Sequence, residues 1–131
     1  MYKKVIQTNQ APAAIGPYSQ AIQKGNLLFV SGQLGLDPST GEFVAGGVGE
    51  QTFQVFKNIK AILTEAGFAM DDIVKTTVFL ADMDYFAAIN EVYKLQFEGD
   101  FPARSAFAVK TLPRNALVEI EVIAVRSFSM Q

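Results

Sequence analysis

The sequence predicts an α+β fold, a single mixed β-sheet with two helices packed on one face. Two segments of helical periodicity, Val48–Ala66 and residues 83–97, alternate with segments rich in β-branched and aromatic residues, so the helices are separated by strands. The 131 residues hold no linker, internal repeat or low-complexity tract, so residues 1–131 form one domain. Short connections then favour one sheet with both helices on the same side.

The elements follow in chain order. Residues 4–7 are a short candidate strand. Residues 11–19 carry Pro12 and Gly16-Pro17, which stiffen and punctuate an ordered loop. Tyr18 comes directly after that turn; it either packs the loop onto the body, as aromatics mostly do, or lines a site. Residues 19–23 and Leu27–Gln33 flank Lys24-Gly25-Asn26, a hairpin signal. The second of these strands is apolar on both faces until Ser31-Gly32, where the glycine marks either a bulge or strand end, or the close approach of a backbone or ligand. Asp37-Pro38-Ser39-Thr40-Gly41 is a turn.

In Val48–Ala66, the positions Val48, Thr52, Val55, Phe56, Ile59, Ile62, Leu63 and Ala66 make one stripe at helical spacing, and Gly67 supplies the left-handed cap. This stripe reads as core. Ile73–Leu80 is dominated by β-branched and aromatic residues and is a strand. Asp82 caps the second helix, whose apolar stripe is Phe86, Ile89, Tyr93 and Phe97. Asn90 falls on that stripe. A buried Asn must satisfy a donor and an acceptor, so it either ties down a neighbouring loop or reaches into a site. Pro102 ends the helical region. Residues 103–110 alternate, with Arg104, Ala106, Ala108 and Lys110 on one face. Leu112-Pro113-Arg114-Asn115 turns the chain into a last strand, 117–126, with Leu117, Glu119, Glu121, Ile123 and Val125 on one face.

Two helices cover one face of such a sheet, yet Ile73–Leu80 and the last strand are apolar on both. The second face needs a cover, and no chain remains to provide it. A homo-oligomer in which sheets meet is expected.

Composition removes whole classes of chemistry. The chain has no Cys and no His, so it offers no thiolate nucleophile, no Ser-His triad and no thiolate or imidazole metal site. Catalysis falls to carboxylates, Tyr, Lys, Arg, hydroxyls, backbone groups and water. The net charge is −2 and the 11 cations are scattered, which supports a nucleic-acid groove poorly. No apolar run is long enough to span a bilayer and no targeting pattern is present, so a cytoplasmic protein is expected.

Two charges stand in apolar strands, Arg104 in Phe101-Pro102-Ala103-Arg104-Ser105-Ala106 and Glu119 in Val118-Glu119-Ile120-Glu121-Val122. Such charges destabilise unless paired or solvated in a cleft. If the last two strands pair as an antiparallel hairpin with Ala106 opposite Glu119, then Arg104, Ala106, Glu119 and Glu121 share one face. Arg grips a carboxylate with a planar fork and Glu orients or deprotonates a water, so this face suits a small carboxylate-bearing molecule. The alternative is a structural ion pair between Arg104 and Glu119 or Glu121.

Several motifs together, in order, resemble the RidA (YjgF-like) family of reactive-imine deaminases: Ile15-Gly16-Pro17-Tyr18-Ser19-Gln20-Ala21, Val30-Ser31-Gly32-Gln33, Ile73–Leu80, Phe101-Pro102-Ala103-Arg104-Ser105 and Val118-Glu119-Ile120-Glu121. The resemblance implies a chorismate-mutase-like fold and a homotrimer with three clefts between subunits. It implies hydrolysis of 2-imino and 2-enamino acids, such as 2-iminobutanoate and 2-iminopropanoate, to 2-oxo acids and ammonia, with no metal or organic cofactor. By position, Arg104 would bind the substrate carboxylate with the Gly32 backbone, Glu119 would activate the attacking water, and Tyr18, Ser31 and Asn90 would line or support the pocket. Many members have Cys where this chain has Ala106, so any thiol-based control at that position is absent here. A different class of function, a non-catalytic ligand-binding or regulatory trimer connected with translation or RNA, remains the alternative.

Overall fold

The computed structural model describes residues 2–127. Six strands form one sheet: β1 (Lys4–Ile6), β2 (Ala21–Lys24), β3 (Leu27–Gln33), β4 (Ile73–Leu80), β5 (Ala103–Ala108) and β6 (Val118–Val125), in the spatial order β1-β2-β3-β6-β4-β5. Helix α1 (Val48–Ala66) lies between β3 and β4 in sequence, and α2 (Phe86–Tyr93) between β4 and β5. The helical region predicted over 83–97 is segmented. Single 3-10 turns, Met83–Tyr85 and Lys94–Gln96, flank α2, and Asp82 caps the first of them by accepting from Asp84 N.

Both helices pack on one face, as the alternation requires. Val118, Ile120, Val122 and Ala124 of β6, Thr76, Val78 and Leu80 of β4, and Leu28 and Val30 of β3 point toward them and are buried. The predicted α1 stripe meets this layer: Val55, Ile59 and Ile62 are fully buried, and Gly67 closes the helix in the left-handed conformation at φ 80°. The β2–β3 hairpin turns through Gly25 and Asn26, with Gly25 at φ 61°.

The last two strands are not a hairpin, which corrects the expectation above. β5 pairs with β4 in parallel, joined to it through α2, while β6 inserts antiparallel between β3 and β4. A helix-containing crossover yields a parallel pair. The connection from β5 to β6 therefore passes β4 instead of turning back on itself. Register then decides the faces. Arg104 lies beside Thr76 and Ala106 beside Val78, on the helix-covered face; Glu119 lies beside Phe79 and Glu121 beside Thr77, on the open face. The four residues expected on one face are split between two.

The open face carries Val5, Ile22, Phe29, Ile123, Phe79 and Phe107, with Phe29 and Phe107 each 45% exposed and Val5 58%. Phe79 and Phe107 stack edge-to-face, their ring centroids 5.4 Å apart. No described segment covers these side chains. Single exposed apolar residues are ordinary, but a contiguous set across several strands marks an interaction surface.

Candidate active site

Glu119 is placed by a backbone irregularity. Val30 pairs with Val122 and Gln33 with Ile120, so Ser31 and Gly32 together oppose the single residue Glu121. This is a β-bulge, and it opens the sheet locally. Over the bulge lies the Glu119 side chain, packed directly on Gly32 Cα. A Cβ added at Gly32 would fall inside the Glu119 carboxylate. The bulge reading of Gly32 is thus met, and what approaches it closely is the Glu119 side chain, neither a backbone nor a ligand.

A half-open cavity of about 650 Å³ begins at this bulge, with Tyr18, Ser31, Gly32, Glu119 and Glu121 in its wall. Burial pushes the Glu119 carboxyl above the usual carboxylate range, and the Glu121 charge two residues on adds to the effect. Apolar wall comes from Pro12, Ile15, Leu34, Leu36 and Pro113.

Buried polar side chains hold these walls. Gln20 accepts from Thr8 N at 2.8 Å and donates to Thr8 O at 3.0 Å, Ala11 O at 3.3 Å and Pro12 O at 2.8 Å, which orders the proline-rich loop. Ser31 Oγ donates to Ser19 O at 2.6 Å and fixes the segment that carries Tyr18. Asn58 of α1 donates to Leu34 O at 3.1 Å and Leu36 O at 2.9 Å, and Gln51 accepts from Leu117 N at 3.0 Å. Each bond satisfies a buried group, so the loops are stitched to the core. Gln20, Gln51 and Asn58 escaped the sequence reading. Their only signal is polar residues within otherwise apolar segments.

Arg104 and Asn90 occupy a second place. Arg104 sits on the edge strand β5, over the helix-covered face, where α2 reaches the sheet border. Its Nη1 donates to Asn90 Oδ1 at 2.7 Å, so Asn90 is tied to the guanidinium and not to a loop. The guanidinium carbon lies 4.7 Å from the Tyr93 ring centroid and 5.2 Å from that of Phe86. The charge remains open to solvent at the edge, which answers how a cation is tolerated on an otherwise apolar face.

The structure therefore brings Tyr18, Ser31, Gly32 and Glu119 together, adds Glu121 and Arg114, and places Arg104 with Asn90 elsewhere. β5 and β6 are two strand spacings apart, about 10 Å, and the two side chains point to opposite faces. Among the described residues, Arg104 forms no ion pair with Glu119 or Glu121, so the structural-pair alternative does not hold within one chain.

Comparisons with known proteins give one consistent result. A family model described as Endoribonuclease L-PSP matches residues 8–126. The mouse protein named 2-iminobutanoate/2-iminopropanoate deaminase is 55% identical over 124 residues, covering 95% of this chain and 92% of the mouse protein. The crystal structure of RidA from an Antarctic Psychrobacter superposes with a TM-score of 0.91 at 47% identity, covering 94% of this chain and 99% of that one. That of Escherichia coli TdcF with bound serine does so with a TM-score of 0.91 at 46% identity, covering 95% and 99%. With matches of this extent in both sequence and structure, the chain belongs to the RidA (YjgF-like) family.

Proposed function

We propose that the protein is an imine-hydrolysing enzyme that converts 2-imino and 2-enamino acids, 2-iminobutanoate and 2-iminopropanoate among them, to 2-oxo acids and ammonia. The observation that carries the reading is Glu119: a half-buried carboxylate with a raised proton affinity, seated on Gly32 in a cavity large enough for a small acid and its water. The deaminase name of the mouse relative supports the substrate class.

In this mechanism Arg104 binds the substrate carboxylate through its planar fork, and the Gly32 backbone helps to hold it. That fixes the C=N carbon against a water held by Glu119. The carboxylate takes a proton from the water as the water oxygen bonds to the carbon of the protonated imine, whose C=N pair moves to nitrogen and gives a neutral tetrahedral amino alcohol. The carboxyl returns that proton to nitrogen and the carboxylate takes the hydroxyl proton as the C–N bond breaks, ammonia leaves and the carbonyl forms; the proton it then holds is released to solvent. A carboxyl whose proton affinity lies above the ordinary range is better suited to both transfers near neutrality than an exposed one. Tyr18 and Ser31 shape the cavity, and Asn90 steadies Arg104.

Since Arg104 and Glu119 lie on opposite faces of the sheet, one chain holds two half-sites. The reading therefore places the cleft between copies, Arg104 from one and the Glu119 cavity from its neighbour, in a homotrimer whose sheets cover one another's open faces. The exposed Phe29 and Phe107 support such a cover.

The test is subunit complementation in a coupled assay. A threonine dehydratase generates 2-iminobutanoate while semicarbazide competes for the imine. Arg104→Ala and Glu119→Gln are each expected to be inactive, and unfolding and reassembling the two together should restore a fraction of activity. Full activity of either single variant would remove that residue from the mechanism. Both variants inactive with no recovery on mixing would place the two groups in one copy's site. The name of the family model raises RNA cleavage as a second reading. The net charge of −2 and the dispersed cations give it no phosphate track, and cleavage of single-stranded RNA that persists in Glu119→Gln would revive it.

A further inference from the structure

One face of α2 carries three residues in step, Phe86, Asn90 and Tyr93, spaced four and three apart, and all three meet the Arg104 guanidinium. We infer that Phe86 and Tyr93 are positioning residues that preset the plane of the Arg104 fork for a carboxylate ligand; this rests on the reading that Arg104 binds the substrate carboxylate.

The arrangement is built and not incidental. Tyr93 is 95% removed from solvent, being 5% exposed, and its hydroxyl shares a 2.7 Å hydrogen bond with Thr76 Oγ1. Thr76 is the strand neighbour of Arg104 in the β4–β5 register, so the residue that locks the ring is fixed to the backbone that carries the cation. The ring is further wedged by Phe56, at 5.6 Å and an interplanar angle of 77°, and by Phe97 at 5.1 Å. Tyr93 therefore cannot follow the guanidinium; the guanidinium must settle on it. Phe86, half-buried at the start of α2, gives a second aromatic contact.

The hydrogen-bond pattern completes the argument. Asn90 takes Nη1. Among the described residues no partner takes Nε or Nη2, and these two N–H groups form the side edge of the fork that meets both oxygens of one carboxylate. A long Arg side chain free in solution must lose rotamer freedom on gripping a ligand. Two aromatic faces and one amide remove that freedom beforehand.

The inference separates binding from chemistry. Phe86→Leu keeps an apolar side chain of similar size but removes one ring, and Phe86→Tyr restores it. Tyr93→Leu removes the other ring, and Tyr93→Phe keeps the ring while deleting the hydroxyl. From the strength of cation–π contacts at partly exposed sites, losing a ring should weaken carboxylate binding by about two- to five-fold. Phe86→Leu should then raise KM in the imine assay and the dissociation constant for 2-oxobutanoate together by that factor, with kcat held within two-fold. Phe86→Tyr should return both to wild type. The amide of 2-oxobutanoate, which has no carboxylate, should bind wild type and Phe86→Leu equally.

A wild-type KM and 2-oxobutanoate affinity in Phe86→Leu would overturn the inference, as would a fall in kcat with KM unmoved. Tyr93→Leu is the more disruptive change and Phe86→Leu decides the matter if it does not fold. The underlying reading fails in a different way: 2-oxobutanoate would then bind Arg104→Ala as tightly as wild type. Binding lost in Arg104→Ala but untouched in Phe86→Leu would retain the reading and reject the positioning role.

Discussion

Replacing Gly32 by Ala tests the geometry of the cavity with a single methyl group. Gly32 does not have a positive φ, so its backbone accepts Ala without strain. All of the effect must come from what the new Cβ meets. It would stand 2.8 Å from the Glu119 carboxyl carbon and 3.0 Å from its Cγ, with the nearer oxygen closer still. Ordinary contact begins near 3.4 Å, so the carboxyl carbon must retreat by at least 0.6 Å and the oxygen by more. The group that moves is the end of a flexible side chain, which limits the folding cost to about 1 kcal/mol, the low end for overpacking. A displacement of about 1 Å at a reacting group costs on the order of 100-fold in rate.

The coupled 2-iminobutanoate assay with thermal unfolding reads both quantities. Gly32→Ala should lose about 100-fold in kcat while its Tm falls by only about 3–5 °C. A second cycle isolates the cause. In a Glu119→Ala background the carboxylate is gone, so adding Gly32→Ala should cost no further stability. Wild-type turnover in folded Gly32→Ala would refute the seating of Glu119 as the source of catalysis. An equal stability loss in both backgrounds would refute the steric argument itself.

Other outcomes follow from the same structure. Arg104→Lys should not rescue the loss of carboxylate binding in Arg104→Ala, because an ammonium lacks the bidentate fork; isothermal titration with 2-oxobutanoate checks this. Burial raises the Glu119 pKa, and a raised carboxyl pKa means that folding is opposed once pH climbs through the ordinary range and the buried group ionises. Glu119→Gln should thus have a higher Tm than wild type at pH 7, with the difference vanishing below about pH 4, where the acid is neutral in both states. Removing the second charge by Glu121→Gln should move the acid limb of the pH–rate profile to lower pH; an unmoved limb would show that Glu121 does not act on Glu119. A charge on the open face, Phe107→Lys, should leave the chain folded but reduce its sedimentation to that of a monomer and abolish turnover, since each cleft in the proposed trimer needs two copies.

The amino-acid sequence by itself determined the elements and their faces. The periodicity of Val48–Ala66 and the β-branched density of Ile73–Leu80 reappear in the structure with the same boundaries, and the alternating strands around Arg104 and Glu119 reappear shortened by one or two residues at their ends. These are local properties, written in spacings of two and of three to four residues along the chain. The family motifs also named the residues worth watching, and Tyr18, Ser31, Gly32 and Glu119 do converge on one cavity.

Strand neighbours were decided only by the tertiary structure. Alternation says which residues of β5 share a face, and likewise for β6, but not which strand lies between them. Inserting β4 there replaced the hairpin and put Arg104 and Glu119 on opposite faces. The bulge at Ser31-Gly32 was one reading of the glycine, but the tethers from Gln20, Gln51 and Asn58 were hidden for the same reason. Each joins segments at least eight residues apart, and a contact at that distance follows from how the layers pack rather than from any local pattern.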